Sequence, residues 1–284
     1  MTAREPAPYP QGVTPPETPT ATSGRSARDV ALDCARRGGE RALQTFRAPQ
    51  DISVKGPRNL VTETDFAVEE LIMETLAREF PDHRVLSEET SAETDDAGWV
   101  WVVDPVDGTR NFVAGIPIWC INIALCHDGE PVLGVTYDPN HDELFVAERG
   151  SGLTVNGRPA RASDESDVEE AVFGIDLGYD DDQGRAQLEM IHRLFPRVQC
   201  VRIPGSAALG LAYAAAGRYD LFMHRSLCPW DIAAGILLVR EAGGTITGGD
   251  GGDAGVRSES AIAGGTKVHA NFLRWLREHA PVEA

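Results

Sequence analysis

Trp-Val-Trp-Val-Val-Asp-Pro-Val-Asp-Gly-Thr-Arg-Asn-Phe, residues 99–112, is the stretch of this chain that decides its fold and its chemistry. Five apolar, mostly β-favouring residues run directly into Asp104, which predicts a buried strand with Asp104 and Asp107 at its carboxyl end. Sheets of α/β proteins carry their chemistry at that end. Pro105 and Gly108 permit a sharp turn, so the two carboxylates can face one point. Two hard oxygen ligands at one point favour Mg²⁺ or a similar ion.

The residues that follow the turn predict a place for an anion. The free amides of Gly108 and Thr109 would begin a short helix, and helix starts attract phosphate. Metal ligands and a phosphate site would then lie within six residues of one another. A plainer interpretation stays open, because Asp-Pro and Asp-Gly are ordinary turn dipeptides and Asp107 could simply cap the helix.

Four spaced motifs, in order along the chain, resemble those of the inositol monophosphatase family. Asp104–Phe112 resembles the first signature of that family, and Trp230–Gly235 resembles the second. The resemblance, which covers roughly residues 27–280, also includes Lys55, Val61–Asp65 and Glu88–Glu89. It implies an α+β or α/β chain, folded as a layered αβαβα sandwich of the sugar phosphatase type. It also implies a Mg²⁺-dependent enzyme that forms a homodimer.

Composition limits the classes of partner. The chain has 284 residues, of which 42% are hydrophobic and 25% charged, as in ordinary globular proteins. Its net charge of −18 opposes binding to nucleic acid polymers or anionic membranes. An anionic substrate therefore needs a local cation, which a bound metal would supply. Five cysteines, an odd number without a Cys-x-x-Cys pair, indicate reduced thiols, and no signal peptide or membrane span is evident, so we expect a cytoplasmic protein.

The chain divides into a tail and one large domain. Residues 1–26 are rich in Pro and Thr and predict a disordered tail. Residues 27–284 predict the folded domain, with a metal-site half at 27–160 and a substrate half at 161–284. A helix is predicted from Ser26 to about Phe46 and another from Asp65, as its N-cap, to about Phe80.

Short strands and further helices follow. Residues 84–86 predict a strand, residues 118–147 an antiparallel meander, and residues 171–175 another strand. The run of aspartates at 180–182 is interpreted as a solvated loop before an amphipathic helix. Residues 205–208 begin an alanine-rich helix with free amides and the hydroxyl of Ser206. Asp231 stands before a helix that ends near Glu241, so an N-cap is its plain interpretation.

Acidic residues spread along the chain predict a metal centre if they converge. Two carboxylates about 4 Å apart repel by roughly 4 kcal/mol at an effective dielectric constant near 20. A cluster of such groups is untenable without cations. The candidates are Asp65, Glu88, Glu89, Asp104, Asp107 and Asp231.

The resemblance implies a role for each matching position. Glu88, Asp104 and the carbonyl of Val106 would hold one Mg²⁺, and Asp104, Asp107 and Asp231 a second. Asp65 would serve a third, weaker metal position, and Lys55 would lie on a mobile loop near the site. Glu88 and Thr109 would orient and activate the attacking water. The residues predicted to bind substrate are Asp107, Gly108, Thr109, Tyr179, Gly205, Ser206, Ala207, His224 and Asp231.

Two departures from the family pattern leave the substrate open. His224 stands where a glutamate that contacts inositol hydroxyls is common, and Tyr179 stands where a small serine is common. A carboxylate accepts two hydroxyl protons, whereas histidine can donate to an anion or accept one bond. An inositol 1-monophosphatase is the leading hypothesis. Fructose 1,6-bisphosphate, histidinol phosphate or a 3′-phosphonucleotide are alternative substrates.

Metal-assisted hydrolysis has two alternatives, a covalent mechanism and a protein without turnover. An aspartyl-phosphate enzyme needs Asp-x-Asp-x-Thr, and the spacing here, Asp104-x-x-Asp107-x-Thr109, is one residue longer. A catalytically silent protein that binds metal or a phosphosugar on the same scaffold is the alternative from a different class.

Overall fold

The computed structural model describes residues 16–56, 59–90 and 95–279. The helices are α1 (Ala27–Leu43), α2 (Glu63–Glu79), α3 (Thr109–Ala114), α4 (Asp181–Leu194), α5 (Ala207–Ala215), α6 (Pro229–Glu241) and α7 (Thr266–Glu278). The strands are β1 (Ile52–Gly56), β2 (Asn59–Thr62), β3 (Arg84–Ser87), β4 (Trp99–Asp107), β5 (Cys120–His127), β6 (Glu130–Asp138), β7 (Glu143–Glu148), β8 (Gly152–Val155), β9 (Arg158–Ala160), β10 (Val172–Ile175), β11 (Cys200–Arg202), β12 (Leu221–His224), β13 (Thr245–Thr247) and β14 (Ala261–Gly264).

The larger sheet has seven strands in the order β3-β4-β5-β6-β7-β8-β9. Strand β3 runs parallel to β4, and every later pair is antiparallel, so the predicted meander is present. The parallel pair brings the carboxyl ends of β3 and β4 to the same edge of the sheet. Glu88 follows β3 at that edge, beside the end of β4 where Asp104 and Asp107 lie.

The smaller sheet has five strands in the order β11-β10-β12-β14-β13. Strands β10, β11 and β12 are parallel, whereas β14 runs antiparallel to both β12 and β13. The parallel strands again end together, which places residues that follow β10 and β12 side by side.

Helices cover both sheets and make five layers. Apolar side chains of α1 and α2 pack on one face of the larger sheet. Helices α5 and α6 fill the space between the two sheets, and α4 and α7 cover the outer face of the smaller one. This order is the predicted αβαβα sandwich. It also explains why β4 reads as a nearly continuous apolar run, since a strand covered on both faces has no solvent side.

Five local expectations differ from the structure. Thr62, not Asp65, is the N-cap of α2, and Cys228, not Asp231, is the N-cap of α6. In both cases the aspartate lies three residues into the helix, where its carboxylate accepts the N–H of the N-cap residue. Asp107 does not cap α3, whose N-cap is Gly108.

The other two differences concern loops. Asp180 is the N-cap of α4 and the next aspartate is already helical, so the aspartate run begins a helix. Most of the predicted disordered tail, residues 1–15, lies outside the described residues. Residues 16–26 belong to the described part, and residues 20–26 form a turn closed by a bridge between Thr20 and Ser26. The predicted division into halves at residue 160 stays a prediction, and residues 280–284 lie outside the described part.

None of the helices in the three described ranges has the length and apolar character that a membrane crossing requires. All five cysteines are free thiols in the structure, as expected. The cytoplasmic location and the homodimer stay predictions.

Helix α6 packs against the larger sheet at a glycine. A Cβ added to Gly134 in β6 would lie 2.9 Å from the carbonyl oxygen of Ala234 and 3.2 Å from its Cα. Such contacts with backbone atoms leave no room for a side chain. The close approach matters for function because Asp231 lies in the first turn of the same helix.

We expect Gly134→Ala to lower the free energy of unfolding by about 1–3 kcal/mol, because the added methyl overpacks this contact. Urea denaturation measures the change. Gly255→Ala is the matched control, since a Cβ at that exposed position would meet nothing within 4 Å. Equal stability of the two variants would show that α6 tolerates displacement from the sheet.

Candidate metal centre

The end of β4 is irregular in a way that gathers carboxylates. Asp104 pairs with Asn122 and Asp107 with Cys120, so three steps along β4 oppose two along β5. The N–H of Val106 donates to Asp104 Oδ1 at 3.0 Å and closes a local turn. Asp104 is 1% and Asp107 7% exposed. The bulge therefore buries both side chains at one end of the strand.

Asp231 completes a group of three carboxylates. One oxygen from each of Asp104, Asp107 and Asp231 lies within 4.8 Å of the others. Asp231 reaches this point from the first turn of α6, where the N–H of Cys228 donates to its Oδ2 at 2.7 Å. The three residues are the set that the family resemblance implies for one metal ion.

The electrostatics of this group call for a cation. Burial raises the pKa of Asp104 well above its usual range, and the charges of Glu88, Asp107 and Asp231 raise it further. Burial likewise raises the pKa of Asp107 and of Asp231. Deprotonated carboxylates at such a position need a positive charge. Three converging hard oxygen donors suit Mg²⁺ or a similar divalent ion, so the residues present fit the expected metal.

Asp107 is held by the N-terminus of α5. The hydroxyl of Ser206 donates to its Oδ2, the N–H of Ala208 donates to the same oxygen at 3.0 Å, and the N–H of Ala207 donates to Oδ1 at 3.2 Å. Ser206 and Ala207 therefore bind a carboxylate within the protein, and their predicted contacts with substrate stay a prediction. The same holds for Gly205, which precedes them.

Gly108 allows the close approach of these two segments. Its φ is +95°, and a Cβ would lie 3.0 Å from the carbonyl oxygen of Ile118 and 3.3 Å from that of Gly205. Only glycine accepts both this conformation and this crowding. The next residue, Thr109, is thereby turned towards α2.

Thr109 and Asp65 form a buried hydrogen-bonded pair. The Oγ1 of Thr109 lies 3.1 Å from Asp65 Oδ1 and 3.0 Å from the carbonyl oxygen of Val106, and its single proton can be donated to either. Asp65 Oδ2 accepts from the N–H and the hydroxyl of Thr62. Burial raises the pKa of Asp65, and these bonds oppose the rise. The motif Thr-x-x-Asp at 62–65 is a capping-box signal that could have given this geometry from the sequence.

Glu88 lies beside the group of three carboxylates. Among the described residues, it is not a member of that group. Its N–H donates to the carbonyl of Val103, which precedes Asp104, at 3.3 Å. The ammonium of Lys55 lies 3.1 Å from Glu88 Oε1 and 2.5 Å from Glu89 Oε2. Burial raises the pKa of Glu88 and the charge of Lys55 opposes this. Burial and the charge of Glu88 raise the pKa of Glu89 to about 7.

The predicted alcohol pocket contains a neutral histidine. His224 is 5% exposed, and its Nδ1 accepts the N–H of Ser226 at 3.0 Å. An acceptor at Nδ1 leaves the ring proton on Nε2, which makes Nε2–H a donor. Burial lowers the pKa of His224 to about 4, so the ring is uncharged near neutral pH. Partial burial and the charges of Glu88, Asp107, Asp231 and Asp104 raise the pKa of Tyr179.

Sequence reasoning missed two residues of the site. Asp176 follows β10 next to His224, because Ile175 pairs with Met223, and burial raises its pKa to about 6. Asn122 donates from Nδ2 to the carbonyl of Trp230 at 2.7 Å and so ties the first turn of α6 to β5. A lone amide within the apolar run 120–126 was an available signal for Asn122. No local sequence pattern indicates a role for Asp176.

Comparison with known proteins places these motifs in one family. The model described as the inositol monophosphatase family matches residues 25–280. The chain belongs to the inositol monophosphatase family. It is 38% identical over 255 residues to inositol monophosphatase 1 of Solanum lycopersicum, with coverage of 87% of this chain and 93% of the relative.

Two further members support the assignment. The Nus factor SuhB of Pseudomonas aeruginosa is 36% identical over 261 residues, or 89% of this chain and 96% of that protein. The crystal structure of the extragenic suppressor protein suhB from Bartonella henselae superposes with a TM-score of 0.83 at 36% identity, covering 89% and 98% of the two chains. As a member of the inositol monophosphatase family, this chain is a phosphatase, and the family is generally metal-dependent.

The raised carboxyl pKa values predict a pH-dependent response to Mg²⁺. A carboxyl group whose pKa is raised in the folded state lowers the free energy of unfolding once it is ionised. This loss of stability is absent at low pH and grows as the pH rises through the pKa of the folded state. Mg²⁺ bound to the ionised form would remove this loss of stability. At a hundredfold excess over its Kd, we expect Mg²⁺ to raise Tm by about 5–10 °C at pH 8. The shift should be clearly smaller at pH 5.5, where protons compete.

Differential scanning fluorimetry with and without MgCl₂ measures this, and NaCl of equal ionic strength controls for screening. Because Tm with and without MgCl₂ is compared at the same pH, the effect of histidine titration on stability cancels. An equal shift at both pH values, or none, would mean that the raised carboxyl groups do not bind the ion.

Proposed function

We propose that this chain hydrolyses phosphate monoesters by attack of an activated water at a two-metal centre. The observation that carries the proposal is the convergence of Asp104, Asp107 and Asp231 within 4.8 Å, on a family scaffold. Inositol 1-phosphate is the leading substrate, in keeping with the names of the relatives.

The predicted metal ligands form two sets. Asp104, Asp107 and Asp231 would hold one Mg²⁺, and Glu88, Asp104 and the carbonyl of Val106 the other, with a third, weaker position at Asp65. Such ions would neutralise the phosphate and stabilise charge on the attacking and leaving oxygens. Asp104 would belong to both sets, which agrees with the rise of its pKa caused by the charges of Glu88, Asp107 and Asp231.

Thr109 and Glu88 would prepare the water. The Oγ1 of Thr109 is fixed by Asp65 and can hold a water oxygen in line with the phosphorus. Glu88 would take the proton at a carboxylate oxygen, because burial already favours its protonated form. Lys55, which is ion-paired to Glu88, would limit the rise of the Glu88 pKa and keep its carboxylate available as a metal ligand.

The amides of Gly108 and Thr109 would bind the phosphate oxygens, as the start of α3 lies against the metal centre. Asp231 would direct a proton to the leaving oxygen of the alcohol. On the alcohol side, the neutral Nε2–H of His224 supplies a donor where a carboxylate would supply acceptors. This donor supports the alternative substrates that carry a second acceptor group: fructose 1,6-bisphosphate, histidinol phosphate and a 3′-phosphonucleotide.

We expect Asp104→Asn and Glu88→Gln each to lower Mg²⁺-dependent phosphate release by about 100-fold or more, because each removes a ligand and a charge. Malachite green assays on the four esters measure the rates and rank the substrates. Asp182→Asn, an exposed carboxylate in the first turn of α4, is the matched control.

Two outcomes would reject the proposal in different ways. Wild-type protein that binds Mg²⁺ and releases no phosphate from any of the esters would be a silent binding protein. A phosphoaspartate detected by mass spectrometry would instead indicate a covalent mechanism.

A further inference from the structure

A buried carboxylate of α2 holds the turn that carries Glu88. Glu69 is 1% exposed, and its Oε1 accepts the N–H of Glu89 at 3.1 Å and the N–H of Thr90 at 3.2 Å. These two amides directly follow Glu88, where strand β3 has ended and no ladder partner is available. One oxygen of Glu69 therefore replaces two hydrogen bonds of the sheet.

The turn is fixed from both sides. On the opposite side, the N–H of Glu88 donates to the carbonyl of Val103, the residue before Asp104. Three successive amides are thus committed, one to β4 and two to Glu69. The backbone of Glu88 can neither rotate nor withdraw from Asp104 without breaking one of these bonds.

One face of α2 organises both sides of the metal centre. Glu69 lies four residues after Asp65, so the two side chains share a helix face. Asp65 binds Thr109 after β4, and Glu69 binds the turn after β3. A negative charge on Glu69, near an acidic centre, is unfavourable. The hydrogen bonds of Glu69 to the amides of Glu89 and Thr90 indicate a structural role that outweighs this repulsion.

We propose that Glu69 is a positioning residue that sets the orientation of Glu88 for a divalent ion. This inference rests on the proposed function only in that the site binds metal. Loss of Glu69 would free the amides of Glu89 and Thr90, let the turn relax, and move Glu88 away from Asp104. The group formed by Asp104, Asp107 and Asp231 would keep its geometry, because the hydrogen bonds described for these three carboxylates do not involve Glu69.

Titration with Mn²⁺, followed by electron paramagnetic resonance and calorimetry, tests the inference without an activity assay. We expect Glu69→Ala to weaken one class of Mn²⁺ site at least tenfold and to change the other less than threefold. Glu69→Gln should stay within threefold of wild type at both, since its side-chain carbonyl can accept the same two amides. Glu70→Ala, exposed on the same helix, is the matched control.

A second variant covers the case in which Glu69→Ala fails to fold. Glu69→Asp keeps the charge but is one methylene too short for the amides, so it should weaken the same Mn²⁺ class. Equal weakening of both classes in either variant, or no weakening, would overturn the inference, as would absence of Mn²⁺ binding in the wild type. Mn²⁺ binding without phosphate release would reject the proposed function and leave the role of Glu69 intact.

Discussion

Mutual repulsion among buried carboxylates is the constraint on which this structure depends. Asp104, Asp107 and Asp231 lie within 4.8 Å of one another and are largely withdrawn from water. At such distances each pair costs roughly 4 kcal/mol at an effective dielectric constant near 20. The fold therefore has to hold together groups that repel each other.

The three carboxylates are not stabilised equally. Asp107 accepts from Ser206, Ala207 and Ala208 at the start of α5, and these bonds oppose the effect of burial on its pKa. Among the described residues, the carboxylate of Asp104 accepts one hydrogen bond, from the N–H of Val106, while burial and the neighbouring carboxylates raise its pKa. A cation would consequently stabilise Asp104 most. This asymmetry is consistent with the proposal that Asp104 belongs to both sets of metal ligands.

Much of the site could be predicted from residues 99–112 and from the order of the motifs. The apolar run before Asp104 predicted a buried strand, and Pro105 with Gly108 predicted the turn that gathers two carboxylates. The order of strand, Glu88, strand and Asp104 required only that β3 and β4 be neighbours. These inferences depend on local sequence and on short connections, so they could be made without the fold.

The remainder depends on contacts between distant segments. Asn122 acts on Trp230, and Ser206 acts on Asp107, each across about a hundred residues, and no local pattern records such pairs. The tautomer of His224 depends on the amide of Ser226 and on burial, which the sequence does not show. The sequence predicts the N-caps of α2 and α6 at Asp65 and Asp231, three residues after the observed caps. The reason is that an aspartate can serve a helix start either as the cap or from the third helical position.

A crystal of the protein soaked in MnCl₂ and measured at the manganese absorption edge tests the central claim most directly. The account predicts an anomalous peak among the carboxylates of Asp104, Asp107 and Asp231, with a second peak on the side of Glu88. Carboxylates that stay together with no peak between them, or that separate when deprotonated, would contradict it.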